Sequence, residues 1–177
     1  MVKIGLVGRI CSGKDTAAHY LKEKGYFLLK FSDILKEILE LLGIEVKREN
    51  LQVLGESLRS VFGNDVLSRA LVKRASGWEK VVVNGIRSVG ELNLLKSNGF
   101  VIIGVDSSEE LRFERVNSRN RFNKKISMAE FRKIESHASE SELNNLIKMS
   151  DFKIVNNSSL EELKLGLDEV LKKIKKS

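Results

Sequence analysis

The sequence contains no proline and a single cysteine, Cys11. Without proline, polyproline segments and collagen-like repeats are excluded. One cysteine cannot close an internal disulfide, and thiols cannot build a metal cluster here. Aromatic residues are only 6% of the chain. No interleaved aromatic and basic patch of the kind that stacks on nucleic-acid bases is present. Uncharged apolar runs are short, such as Val81-Val82-Val83 and Val101 to Val105, far from the ~20 residues a bilayer crossing needs. The N-terminal MVKIGLVG reaches glycine with no cleavage pattern of a secretory signal. These absences lead us to expect a cytoplasmic protein with neither a membrane nor a nucleic-acid partner. They say nothing about oligomeric state.

What is present is a chain of 177 residues, 42% hydrophobic and 31% charged, the size and balance of one globular domain. The net charge is +7, which favours anionic partners, phosphorylated small molecules among them. Part of that excess is Lys172, Lys173, Lys175 and Lys176, which complement the dipole of a C-terminal helix. The more informative group is Arg112, Arg115, Arg119 and Arg121.

Hydrophobic patterning gives strands at 2–7, 26–31, 81–84, 100–105 and 152–155. They lack alternation, as strands covered on both faces do. Helical spacing gives helices at 14–24, 33–42, 48–62, 65–75, 88–98, 108–120, 127–136, 139–149 and 159–175, with Ser32 or Asp33 as the cap of the second. Strands alternating with helices call for an α/β fold: a three-layer domain with a five-stranded parallel sheet.

Gly8-Arg9-Ile10-Cys11-Ser12-Gly13-Lys14 fits G-x-x-x-x-G-K between the first strand and the first helix. In that setting backbone N–H groups wrap phosphate oxygens, glycines permit the close approach, and the helix N-terminus adds positive potential. Lys14 supplies a mobile charge for terminal phosphates. Asp15 follows where a serine or threonine magnesium ligand is usual, and as a hard oxygen donor it is the candidate for Mg²⁺. Thr16 is placed for an inner phosphate. Arg87 follows the third strand at the carboxyl end of the sheet, where such sheets bind ligands. Its fork suits an acceptor phosphate. Arg112, Arg115 and Arg119 lie at i, i+3 and i+7, the face a phosphate-covering lid would use. Glu91 and Glu135 read as solvated carboxylates near the site, and the Cys11 side chain as incidental.

The G-K-D-T form resembles the deoxynucleoside monophosphate kinases of phages and the animal-type phosphomevalonate kinases. Phe31-Ser32-Asp33, Val81-Val82-Val83-Asn84-Gly85-Ile86-Arg87-Ser88, Arg112-Phe113-x-Arg115 with Arg119-Asn120-Arg121, and Phe152-Lys153-Ile154-Val155-Asn156-Asn157 are similar to segments of archaeal adenylate-kinase-like and dephospho-coenzyme-A-kinase-like proteins. This resemblance implies P-loop NTPase topology in a single domain, 1–177, with a small helical lid over roughly 108–136. It implies ATP and Mg²⁺ as cofactors and a small phosphorylated molecule as acceptor. The expected activity is transfer to a nucleoside or deoxynucleoside monophosphate. Dephospho-coenzyme A kinase, a phosphomevalonate-type kinase and a non-catalytic nucleotide-binding protein stand as alternatives. The implied nucleotide-binding residues are Gly8 to Thr16 with Asn156 and Asn157. The implied catalytic residues are Lys14, Asp33 as base, Arg87, Arg119 and Arg121, with Arg59 near the acceptor. One departure stands out: Asn84 occupies the position where relatives carry an acid.

Overall fold

The computed structural model describes residues 1–119, 122, 124–136 and 142–176. Strand β1 (Val2–Val7) leads into helix α1 (Lys14–Glu23), then β2 (Phe27–Lys30), α2 (Phe31–Leu41), α3 (Arg48–Phe62) and α4 (Val66–Ala75). Strand β3 (Lys80–Asn84) and α5 (Val89–Ser97) follow, then β4 (Phe100–Asp106), α6 (Glu109–Ser118) and α7 (Met128–Glu135). The chain closes with α8 (Leu143–Lys148), β5 (Phe152–Val155) and α9 (Leu160–Ile174).

The five strands form one parallel sheet in the order β2-β3-β1-β4-β5. The chain leaves β1 for one side of the sheet and later returns to fill the other. The carboxyl end of β1 is therefore the switch point where ligands lodge in such folds. Register fixes its neighbours: Leu6 lies beside Asn84 of β3, and Val7 beside Gly104 of β4.

Successive strand residues point to opposite faces, so each valine run feeds two cores. Val81 and Val83 join Leu29, Ile102, Leu35, Leu67, Leu71 and Leu95 under α2, α4 and α5. Val82 joins Ile4, Leu6, Ile103, Ala18, Leu21, Leu167 and Val170 under α1 and α9. A third, small cluster holds Val116, Ile126 and Phe131 of the α6–α7 region together with Cys11. The Cys11 side chain is thus not incidental: it is buried and seats the α6–α7 region on the loop after β1.

Two details differ from the sequence expectation. Helix α2 begins at Phe31 with Lys30 as its N-cap and no side-chain cap bond, so neither Ser32 nor Asp33 caps it. The strand runs straight into the helix, leaving no extended residue at 32 or 33 to act as cap. The expected helix 139–149 is described only from Leu143 to Lys148; residues 139–141 lie outside the described part. Among the described residues, no helix is long and apolar enough to cross a membrane.

Helix α7 opens with a reciprocal cap. Ser127 accepts the Glu130 N–H at 3.2 Å, and Glu130 accepts the Ser127 N–H at 2.8 Å. The Ser127 N–H, then Lys124 and the Ser127 hydroxyl, draw the Glu130 carboxyl from its ordinary 4.5 to about 2. A depressed carboxyl contributes stability above its ordinary value and loses it as pH falls through the depressed one. The Ser127 amide resonance should therefore titrate with a midpoint near 2. A midpoint at the ordinary carboxyl value would show that the cap does not form.

Candidate active site

The loop between β1 and α1 owes its shape to two glycines and a buried asparagine. A Cβ on Gly8 would lie 2.4 Å from the Val105 carbonyl oxygen. Gly13 has φ 102°, and a Cβ there would lie 2.1 Å from Asn156 Nδ2. Only glycine fits either position. Cys11 is held at φ 55°, a left-handed conformation that a side chain seldom adopts.

Asn156, at the turn after β5, donates its side-chain amide to the Ser12 carbonyl at 2.8 Å. Arg115 of α6 locks that turn from behind. Its Nη2 donates to the Asn156 carbonyl at 3.0 Å and its Nη1 to Ser107 Oγ at 3.1 Å, with Cys11 O at 3.4 Å. Burial pulls the Arg115 pKa down, the mark of a guanidinium used inside the protein. Asn157 Oδ1 accepts the Ser108 N–H at 2.9 Å. The turns after β4 and β5 are in this way tied to each other and to the loop. Ser12 Oγ is buried and has no hydrogen-bond partner among the described residues.

At the start of α1, Lys14 Nζ and Asn84 Nδ2 both reach Asp15 Oδ1, at 2.9 and 2.8 Å. A carboxylate on α1 therefore faces the asparagine at the end of β3 and is bonded to it. Asn84 Oδ1 is buried and without a partner among the described residues. Thr16 is half-buried on the next turn position.

These groups open into a cavity of about 700 Å³. One wall is Gly8, Arg9, Ile10, Cys11, Lys14 and Asp15. The other is Phe31, Ser32, Leu35, Arg48, Leu51, Gln52, Arg59 and Arg87. The cavity does not include Asp33, whose carboxylate meets Lys36 at 3.3 Å on the side of α2 that faces α4. A helix turns about 100° per residue, and the pairing of Glu37 with Arg74 of α4 carries Asp33, four residues earlier, to that side. Ser32 takes the place on the cavity wall.

The arginines of α6 divide. Arg112 is buried, donating to the Ser107 carbonyl at 3.0 Å and to the Glu135 carboxylate. Arg115 braces the loop. Neither lines the cavity, so the two do not form a ligand-facing row with Arg119 as their spacing implied. Arg119 is exposed at the C-cap of α6, outside the cavity wall; Arg121 lies outside the described residues. Arg9 turns its side chain to Asn144 and to Glu135, 3.5 Å away. Glu135 and Glu91 are not solvated: Glu91 is 0% exposed and Glu135 joins two arginines. Among the described residues, no three His, Cys, Asp or Glu side chains are grouped to hold a metal ion alone.

A family model described as an AAA domain matches residues 4–143. The chain belongs to this family of P-loop NTPases. A UPF0200 protein of Hyperthermus butylicus is 32% identical over 92% of the chain and 89% of that relative. A UPF0200/UPF0201 protein of Archaeoglobus fulgidus is 30% identical over the whole chain, which spans 57% of that relative's length. Among solved structures, shikimate kinase from Bacteroides thetaiotaomicron superposes with a TM-score of 0.62 at 14% identity, covering 98% of both chains. The fold is that of the small P-loop kinases.

The brace gives a direct test. Asn156→Asp removes the donor to Ser12 O and sets a carboxylate oxygen against that carbonyl. It should cost about 1–3 kcal/mol of stability in urea unfolding, and amide exchange at Ser12, Gly13 and Lys14 should quicken. Unchanged stability and exchange would mean the loop holds its shape without Asn156.

Proposed function

We propose that the protein is an ATP- and magnesium-dependent phosphotransferase whose acceptor is a nucleoside or deoxynucleoside monophosphate. The observation that carries this reading is the single cavity with two walls. A phosphate-binding loop forms one wall, and apolar, arginine and other polar side chains of α2, α3 and the turn after β3, Gln52 and Glu56 among them, form the other. A nucleotide switch needs the first wall only. A group-transfer enzyme needs both, because phosphoryl transfer is achieved mainly by placing donor and acceptor in line within fixed charge.

In this account the N–H groups of residues 8–14 and the N-terminus of α1 hold the donor phosphates. Ser12 Oγ supplies a further buried hydroxyl, and Thr16 meets an inner phosphate. Lys14 leaves Asp15 for the terminal phosphates. Asp15 and the unpaired Oδ1 of Asn84 are hard oxygen donors of the kind Mg²⁺ takes beside nucleotide phosphates, so the residues present fit the ion. When bound, Mg²⁺ neutralises charge on the phosphate oxygens. An acceptor phosphate oxygen bonds to the γ-phosphorus while the bond to the β–γ bridging oxygen breaks and ADP leaves. A phosphate acceptor is already ionised near neutral pH, so no general base at Asp33 is required. Arg87 holds the acceptor phosphate. Arg119, exposed at the C-cap of α6, covers the group in transit when the α6–α7 region closes, the role the resemblance also implies for Arg121. Phe31, Leu35 and Leu51 offer an apolar surface for the acceptor's ring system.

The experiment is a panel of nucleoside and deoxynucleoside monophosphates, dephospho-coenzyme A, phosphomevalonate and shikimate, each with ATP and Mg²⁺, read as ADP release. A monophosphate should be turned over well above the ATP-only rate. Turnover of another panel member alone would move the acceptor class; no turnover of any would overturn the kinase reading.

Two substitutions test the parts. Lys14→Ala should lower turnover by at least about 10²–10³-fold and leave the thermal midpoint near that of the parent, since this lysine contributes no core packing. Unchanged turnover would sink the loop's assigned role. Asp15→Asn should raise the Mg²⁺ concentration for half-maximal rate and weaken the Mg²⁺ dependence of ADP affinity in calorimetry. Identical titrations would place the carboxylate function elsewhere.

A further inference from the structure

Glu91 lies in the first turn of α5, where a glutamate three residues after the Ser88 N-cap is an ordinary capping partner. Ser88 Oγ accepts the Glu91 N–H at 3.2 Å. The rest of the arrangement is not ordinary. Such carboxylates lie in water, but this one is 0% exposed. Burying a charge is costly unless it is paired, and a neutral glutamine would cap the helix as well. The pairing shows what the charge is used for. Glu91 Oε1 accepts both Nε and Nη2 of Arg59, at 3.0 and 2.8 Å, from a helix 32 residues away. Its Oε2 accepts the Arg87 backbone N–H at 2.7 Å.

One carboxylate thus contacts two of the arginines that line the cavity, Arg59 through its guanidinium and Arg87 through its backbone N–H. Arg59 is gripped side-on, which sets the plane of its guanidinium and leaves Nη1 as its remaining edge. The side chain of Arg59 is still 20% exposed and lines the cavity. Gly55 makes room for Nη1: a Cβ there would lie 3.1 Å away. The same carboxylate holds the backbone of Arg87 at the turn after β3, so both residues are anchored to one point beside the cavity.

We infer that Glu91 is a positioning residue that builds Arg59 and Arg87 into a seat for an acceptor oxyanion, phosphate or carboxylate. This rests on the reading that this wall holds the acceptor. Because Glu91 cancels the charge of Arg59, that arginine acts as an aimed donor rather than as free charge. The seat then selects by geometry as well as by sign.

The test uses the whole protein saturated with MgADP, so that the loop is filled. Inorganic phosphate and, separately, acetate are titrated in while the arginine Nε–Hε resonances are followed. In the parent, one of the two anions should shift the Arg59 signal saturably, and the stronger of the two names the acceptor group. Glu91→Gln keeps the shape and an acceptor for the Arg87 N–H but removes the charge. It should weaken that anion by about tenfold with MgADP affinity unchanged. The amide leaves the Arg59 donors without their carboxylate, so the thermal midpoint should fall, and anion affinity is read at a temperature where the variant is folded. If Glu91→Gln fails to fold, Glu91→Gln combined with Arg59→Met removes both charges together and should lose the anion. Parent-like anion binding in either folded variant overturns the inference. So does a parent that binds neither anion at Arg59. If the seat binds as expected but no acceptor in the panel is phosphorylated, the kinase reading falls and the seat stands.

Discussion

The hydrogen bond from Asn156 to the Ser12 carbonyl is the constraint on which the rest of the site depends. It joins the turn after β5 to the loop after β1, across a separation of 144 residues in sequence. That bond fixes the backbone at Ser12 from outside the loop, while the Ser12 N–H is held within it by the Arg9 carbonyl at 3.2 Å. Gly13 is the residue that lets the amide come so close. Arg115 then fixes Asn156 itself. The phosphate-binding surface is therefore preorganised by buried polar contacts rather than assembled by the ligand, which is the arrangement that makes electrostatic catalysis effective.

Two further choices follow from this frame. Asp15, on the helix facing the end of β3, accepts from Asn84 at 2.8 Å and from Lys14 at 2.9 Å, so the site keeps a carboxylate beside that asparagine. The α6–α7 region, for its part, is anchored through apolar side chains. Cys11 belongs to the same small core as Val116, Ile126 and Phe131, so the loop and this region share packing. Arg9 adds a polar link through Glu135 to Arg112.

The sheet was legible because its strands are short uncharged runs that need cover on both faces, and the loop because its glycines and lysine fall between a strand and a helix. What sequence could not show were the partners of charged residues. The spacing of Arg112, Arg115 and Arg119 describes one helical face, but Arg112 is taken by Glu135, 23 residues on, and Arg115 by the Asn156 carbonyl, 41 residues on. Asp33 and Ser32 are adjacent in sequence and differ by one helical step, and contact with α4 decides which faces the cavity. Glu91 was visible only as a solvated carboxylate near the site. Its burial was not, because that depends on Arg59 arriving from α3. Arg121 lies outside the described residues.

The most direct measurement is an amide NMR titration of the parent protein with ADP. A preorganised phosphate cradle predicts that the Ser12, Gly13 and Lys14 amides shift together and saturably. The Asn156 side-chain amide should stay in place, because its bond to Ser12 already exists. Absence of shifts in residues 8–14, or a large shift of the Asn156 side chain showing that the brace forms only with ligand, would contradict the account.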